Sequence, residues 1–156
     1  NRLALATAYF ASKDLEKGAK VLNEALAADP KNYSLRMLAG RVLRDHKRFS
    51  DAANQFLAAA SIKPESTEPW GEIVTVSMLG DNYPQALAGL DKIKALGGEN
   101  PSHFYLRAII LDKQMVLQPA LEYYQRFLAA SNGKFPDEEF KARQRARIIQ
   151  KELSKR

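Results

Sequence analysis

Apolar and polar residues alternate along the chain at the spacing of amphipathic helices. The segment at residues 49–64, FSDAANQFLAAASIKP, has this pattern and ends at a proline. Its skeleton is a ring, two small residues, a second large group and the closing proline. Parts of the skeleton recur before and after it at a fixed distance, which predicts a tandem array of similar helical units.

The distance between equivalent positions is 34 residues. Small residues recur at this interval, and large apolar residues recur four positions after them and three positions before them. A further column, sixteen positions before the small residues, holds Arg2, Arg36, Trp70 and Phe104. The three main columns are Gly18, Ala52, Ala86 and Ala120; Leu22, Phe56, Leu90 and Tyr124; and Leu15, Phe49, Tyr83 and Leu117.

These columns resemble the tetratricopeptide repeat, whose 34-residue pattern is W-x2-L-G-x2-Y, then A-x3-F, then A and P. The second unit matches it best, and the fourth unit departs from it by placing Arg107 where leucine is expected. The matching residues of the second unit are Ala39, Gly40, Leu43, Ala52, Phe56, Ala59 and Pro64.

The resemblance implies an all-α fold, a right-handed α-α superhelix (solenoid) of four tetratricopeptide-type helix pairs. The expected units are about 1–32, 33–66, 67–100 and 101–134. Residues 135–156 are predicted to form a C-terminal capping helix, because Ala142, Ala146, Ile149 and Leu153 fall on one face of a helix. The first unit begins inside the pattern, so we expect further sequence upstream.

Turn and capping residues agree with these bounds. Asn32 follows Asp29-Pro30-Lys31 and is a predicted N-cap of the next helix. Asn100-Pro101 is predicted to start a helix in the same way, since proline is favoured in the first turn.

Charge is concentrated in the tail. The chain carries a net charge of +6 in 156 residues, and residues 134–156 supply +4 of it from eight basic and four acidic groups. The chain has no cysteine, which excludes disulfides and thiol chemistry. No apolar run is long enough to cross a bilayer. The compartment is left open between cytoplasm and periplasm.

Candidate catalytic chemistry is absent from the sequence, so we predict no enzyme activity, metal or cofactor. His46 lies among charged residues at a predicted turn, and His103 lies in a first turn; neither has the companions of a metal site. Asp137, Glu138 and Glu139 are interpreted as acids at the positive end of the tail helix.

A concave surface lined by the first helix of each unit is the predicted partner-binding groove, as the resemblance implies. Arg41 and Arg44 are predicted to hold a partner carboxylate in two-pronged fashion, with Glu72 close by. Met37 and Met78 are expected to be exposed and adaptable. Leu3 is expected on this surface as well. The remaining predicted groove residues are Thr7, Phe10, Thr75, Tyr105, Ile109 and Asp112.

A basic stripe on the tail helix is the second candidate surface. Arg143, Arg147, Lys151 and Lys155 follow one another at i, i+4 spacing. The stripe suits phosphates, an acidic protein or an anionic membrane surface, but it is also what a solvated helix face looks like.

The leading hypothesis is a non-catalytic adaptor that binds a peptide or partner protein in the groove. The alternative within the same fold is self-assembly into a homo-oligomer. Nucleic acid or an anionic surface on the tail stripe ranks below both. Some family members clamp a C-terminal carboxylate with lysine and asparagine, but the matching positions here hold acids and apolar residues. Binding of chaperone C-terminal tails is therefore disfavoured.

Overall fold

The computed structural model describes residues 2–156, apart from the side chain of Leu3, and the described chain is entirely helical. The predicted all-α class is confirmed. The helices are α1 (Arg2–Ala11), α2 (Leu15–Ala28), α3 (Tyr33–Asp45), α4 (Phe49–Ile62), α5 (Glu68–Leu79), α6 (Tyr83–Ala95), α7 (Pro101–Lys113), α8 (Leu117–Ser131) and α9 (Pro136–Ser154).

The 34-residue period is visible in the helix ends. The helices α1, α3, α5 and α7 end at Ala11, Asp45, Leu79 and Lys113, and each is followed by a three-residue turn. The helices α2, α4, α6 and α8 then begin at residues that are again 34 apart. The helix ends of the structure have the 34-residue spacing seen in the sequence. The boundaries of the four repeats and the separate capping helix stay predictions.

Each of these four turns has one residue in the left-handed conformation, and the four are also 34 apart. They are Lys13, Lys47, Asp81 and Met115, with φ between 56° and 65°. In each turn the next residue's N–H bonds to a carbonyl five positions earlier, as Arg48 N does to Leu43 O at 2.8 Å. This is the Schellman arrangement, which satisfies the last carbonyls of the first helix and reverses the chain.

Contact density divides the chain into two compact units, Asn1–Gln85 and Ala86–Arg156, and the division falls inside α6. In the first unit, α1 packs with α2, α3 with α4, and α4 with α5. Phe56 is completely buried in its core, and Trp70 packs against the same cluster. Phe56 therefore lies inside the core and the half-buried Trp70 lies against it, in keeping with the repeat pattern.

In the second unit, α8 packs between α7 and α9. The inner face of α9 contributes Ala142, Ala146 and Ile149 to a core that also holds Tyr124 and Phe127. The apolar face predicted for the tail helix is thus buried against its own unit.

Small residues let the paired helices approach closely. A Cβ on Gly18 would lie 2.7 Å from the Phe10 ring, and one on Gly40 would overlap the buried Phe56 ring. Gly71 is different, because nothing lies within 4 Å of the place a Cβ would occupy.

We expect Gly40→Ala to lower the free energy of unfolding by about 1–2 kcal/mol, since a ring that is fully packed has no room to move. Gly71→Ala is the matched control. It adds the same methyl group to open space in a helix, so it should be neutral or stabilising by up to about 1 kcal/mol. Urea unfolding of both variants checks the pair; equal effects would contradict the close contact.

Candidate functional site

Arg41 and Arg44 of α3 lie opposite two glutamates of α5. Arg41 Nη2 donates to Glu68 Oε1 at 2.7 Å, and Arg44 Nη1 donates to Glu72 Oε2 at 2.7 Å. Arg41 Nε is also 4.0 Å from Glu72 Oε1. The two arginines, which the sequence predicts to be open to a partner carboxylate, are therefore paired within the chain. Glu72 is the neighbour expected from the sequence, whereas the contact with Glu68 was not predicted.

These two ion pairs differ in exposure. The Arg41 and Glu68 side chains are 40% and 55% exposed, whereas those of Arg44 and Glu72 are 28% and 22% exposed. An exposed pair contributes only about 0–1 kcal/mol, because water and salt screen it. In the outer pair, Arg41 with Glu68, a carboxylate from another molecule can accordingly displace Glu68 most easily.

Tyr33 extends the outer pair. Its hydroxyl donates to Glu68 Oε2 at 3.2 Å, and the Lys63 ammonium lies 4.2 Å from the centre of its ring. Burial raises the pKa of Tyr33, and the Glu68 charge adds to that rise. The phenol therefore stays protonated as a donor at neutral pH.

The surface of α5 beside these pairs is open. Thr75 is exposed and its hydroxyl donates to Gly71 O at 3.1 Å, while Met78 is half-buried. Gly71 is half-buried, and nothing lies within 4 Å of the place a Cβ would occupy on it, so this position leaves space for a partner side chain.

Three other predicted groove residues lie elsewhere in the first unit. The exposure expected for Met37 is wrong: it is 2% exposed and packs in the core with Phe56 and Ile73, because this side of α3 faces α4 and α5. Phe10 is half-buried with its ring against Gly18, and Thr7 is exposed. The side chain of Leu3 lies outside the described residues.

In the second unit, the predicted groove residues of α7 are largely covered. Tyr105 and Ile109 pack against the core, with the Tyr105 and Phe127 ring centres 4.9 Å apart. Burial raises the pKa of Tyr105. Asp112 does not face solvent either, since its side chain is only 12% exposed.

Asp112 joins three helices. Arg145 of α9 donates to it through Nε at 2.8 Å and Nη2 at 2.7 Å, and Tyr124 of α8 donates to Oδ2 at 2.9 Å. Burial and the bond to Asp112 raise the pKa of Tyr124 far above its ordinary value. The same carboxylate raises the pKa of Arg145. Asp112 thus anchors α9, and its predicted contact with a partner stays a prediction. Arg145 was not among the predicted site residues; its position at the edge of the apolar face of α9 was the available signal.

Glu139 is a capping residue at the start of α9. Its carboxylate accepts from Gly133 N and Phe135 N, both at 3.0 Å, ahead of the first turn of α9. Burial opposes ionisation, but the Ser131 hydroxyl and these two N–H groups outweigh it and hold the pKa of Glu139 below its ordinary value. Within residues 2–156, no group of three or more potential ligands could hold a metal ion.

The four residues of the predicted basic stripe, Arg143, Arg147, Lys151 and Lys155, are all exposed on α9. They lie on the side opposite the buried Ala142, Ala146 and Ile149. No helix among the described residues is both long enough and apolar enough to cross a membrane.

Arg107 was noticed in the sequence only as a departure from the repeat pattern. It is buried, its Nη2 lies 2.6 Å from Asp91 Oδ1, and its guanidinium is 5.7 Å from the centre of the Tyr123 ring. Arg126 lies over the same ring and over Phe104, at 5.0 and 4.5 Å. The charge in a leucine position is therefore accommodated by an acid and a ring.

The two histidines have local partners. Asn100 N donates to His103 Nδ1 at 3.0 Å, and burial lowers the pKa of His103, so the neutral ring acts as the acceptor at the start of α7. His46 Nδ1 lies 2.8 Å from Val42 O. Each imidazole ring therefore contacts the backbone at one end of a helix, His103 at the start of α7 and His46 at the end of α3.

Comparison with known proteins agrees with the repeat pattern. Residues 3–67 match the sequence profile of the tetratricopeptide repeat. Over 124 residues the chain is 24% identical to the 131 kDa subunit of transcription factor tau from Saccharomyces cerevisiae, a match that covers 80% of this chain and 12% of that subunit. The chain therefore spans only a small part of that relative.

Solved structures share the fold along the chain. A crystal structure of MamA aligns with a TM-score of 0.68 at 18% identity, covering 97% of each chain. YrrB, described as a TPR protein with an unusual peptide-binding site, aligns with a TM-score of 0.62 at 17% identity, covering 82% of this chain and 63% of its own.

We expect Asp112→Asn to lower the free energy of unfolding by about 1–2 kcal/mol, a figure reduced because Arg145 is partly exposed and screened by solvent. The pKa of Tyr124 should fall toward its ordinary value in the same variant, as followed by ultraviolet absorbance during alkaline titration. Because a raised folded pKa stabilises the protein below the unfolded pKa of about 10 and loses that effect at higher pH, the wild type should lose stability more steeply above pH 10 than the variant. Identical titrations would contradict the assigned contact.

Proposed function

We propose that the chain is a tetratricopeptide-type, non-catalytic module that binds an extended or helical segment of a partner protein. The match of residues 3–67 to the tetratricopeptide repeat and the fold shared with MamA support this proposal. The proposed contact surface is the open side of α3 and α5, formed by Arg41, Arg44, Glu72, Thr75 and Met78. The observation that carries the proposal is the partly exposed Arg41–Glu68 pair, with open space on the nearby Cβ side of Gly71.

The chemistry of this surface suits a segment that carries a carboxylate. Arg41 presents a guanidinium whose present partner is solvent-exposed, so a partner Asp or Glu replaces Glu68 at little cost and forms a charge-assisted bond. Arg44 and Glu72 are less exposed, and their ion pair holds Glu72 in place beside Arg41. Met78, flexible and half-buried, supports contact with an apolar side chain of the partner.

Covered positions narrow the proposal to the first unit. Met37 lies in the core, and Tyr105, Ile109 and Asp112 are held by their own unit. The description of YrrB as peptide-binding is consistent with a peptide ligand, although the likeness itself extends only to the fold.

The test uses a partner that the intact chain retains and whose dissociation constant is then measured. The triple variant Arg41→Ala, Arg44→Ala, Met78→Ala should bind at least about tenfold more weakly, as removal of interface arginines typically does. The control variant Lys47→Ala, Arg48→Ala, Leu57→Ala also removes two cations and one apolar side chain, but from the α3–α4 turn and α4. It should bind within about twofold of wild type.

Unchanged affinity in the first variant would make the surface assignment wrong. Equal losses in both variants would show that general charge, and not this surface, governs binding. Sedimentation of the chain alone tests self-assembly. An oligomer that dissociates in the first variant would replace the partner segment with a second copy of the chain.

A further inference from the structure

The outer face of α9 combines five cations with two large apolar side chains. At 100° per residue, eight residues fall within an arc of about 160° around the helix axis, and all eight are exposed. They are Phe140, Lys141, Arg143, Gln144, Arg147, Ile148, Lys151 and Lys155. We call them the outer face of α9. Asp137 precedes this stretch in the first turn and Glu152 lies just beyond the edge of the arc, so the arc from Phe140 onward holds no acid.

Phe140 and Ile148 distinguish this face from an ordinary charged helix surface. They are 56% and 53% exposed, although the exposed face of an amphipathic helix ordinarily carries polar and charged residues. Neither is needed for the core, because α9 packs through Ala142, Ala146 and Ile149 on its opposite side. The two apolar groups lie among cations on a helix that is already fixed.

We propose that the outer face of α9 binds an anionic lipid surface. The cations lie against lipid headgroups, and Phe140 and Ile148 enter the boundary between headgroups and acyl chains. Clusters of four to eight Lys or Arg on an amphipathic helix are typical of such binding, and exposed aromatic and aliphatic side chains add buried apolar area.

A bilayer fits this face better than the other anionic partners. A phosphate backbone offers nothing apolar to Phe140 and Ile148. Protein interfaces are depleted in lysine and rely on anchors that fill pockets, whereas this face holds three exposed lysines. Arg143 and Lys155 are about 18 Å apart along the helix axis, so the charges are spread over a length that suits a flat surface.

The anchoring of α9 decides the mode of contact. The bonds of Arg145 to Asp112 and of Glu139 to the preceding loop hold the helix to its unit. The helix therefore lies on the bilayer as a preformed element without inserting its buried side. This proposal is independent of the groove on α3 and α5.

The experiment measures flotation of the intact chain with vesicles of phosphatidylcholine alone and with vesicles that also contain phosphatidylserine. We expect retention only on the vesicles that contain phosphatidylserine, and retention that falls as salt is raised. The variant Arg143→Gln, Arg147→Gln, Lys151→Gln should bind about a hundredfold more weakly, since each cation near an anionic surface strengthens binding roughly fivefold.

Two further variants isolate charge and apolar contact. The control variant removes three positive charges outside α9, as many as the tail variant removes from it, and should bind like wild type. Its substitutions are Lys20→Gln, Lys31→Gln and Lys47→Gln. Phe140→Gln, Ile148→Gln keeps every charge and should bind about tenfold more weakly. Circular dichroism and the melting temperature should match wild type for all three, because every changed side chain is exposed.

Several results would overturn the proposal. No retention on phosphatidylserine vesicles at low salt would do so, as would equal losses in the tail and control variants. Full binding by Phe140→Gln, Ile148→Gln would reduce the contact to bare charge and exclude insertion. Tight binding of poly-glutamate or of duplex DNA, with no binding to vesicles, would assign the face to an acidic protein or to nucleic acid.

Discussion

The close approach of two paired helices, in which a small residue on one lies against an aromatic ring on the other, is the constraint on which this fold depends. Gly40 against Phe56 and Gly18 against Phe10 are the tightest cases. With the helices this close, each pair has little lateral freedom, and the side chains on its remaining faces are held at fixed positions. The hydrogen-bonded ion pairs between α3 and α5 and the bonds at Asp112 both require that precision, because their donors and acceptors meet at 2.7–2.9 Å.

Much of the fold was readable from the sequence because its 34-residue period repeats four times and each column has a packing role. Ala52 and Ala86 are completely buried, as small residues between helices should be. Asn32 caps α3 by accepting from Leu35 N, as the turn sequence indicates. The left-handed residues of the four turns were not foreseen, since lysine, aspartate and methionine give no local sign of that conformation. There the reversal of the helix pair imposes the backbone angle on whichever residue occupies the position.

The surfaces were harder to read, because a repeat pattern tells which residues face inward but not what covers them. Met37 lies on the predicted face of α3, yet the following helix packs over it. Asp112 and Arg145 are 33 residues apart and meet only because α9 lies beside α8, a pairing that no local pattern reports. Arg107 is the instructive exception: a charge in an apolar column was visible in the sequence, and it marks a buried arginine that is accommodated by Asp91 and Tyr123.

The four left-handed turn residues are also suitable positions for attaching spectroscopic labels. Residues 13, 47, 81 and 115 have equivalent, exposed environments, and the protein contains no native thiol. Two cysteines, one introduced at each of two of these positions, would carry a pair of fluorophores or spin labels without disturbing the helix contacts. Because the backbone at these sites already holds ordinary side chains, labels at two of residues 13, 47 and 81 would report a change of distance within the first unit when a ligand binds.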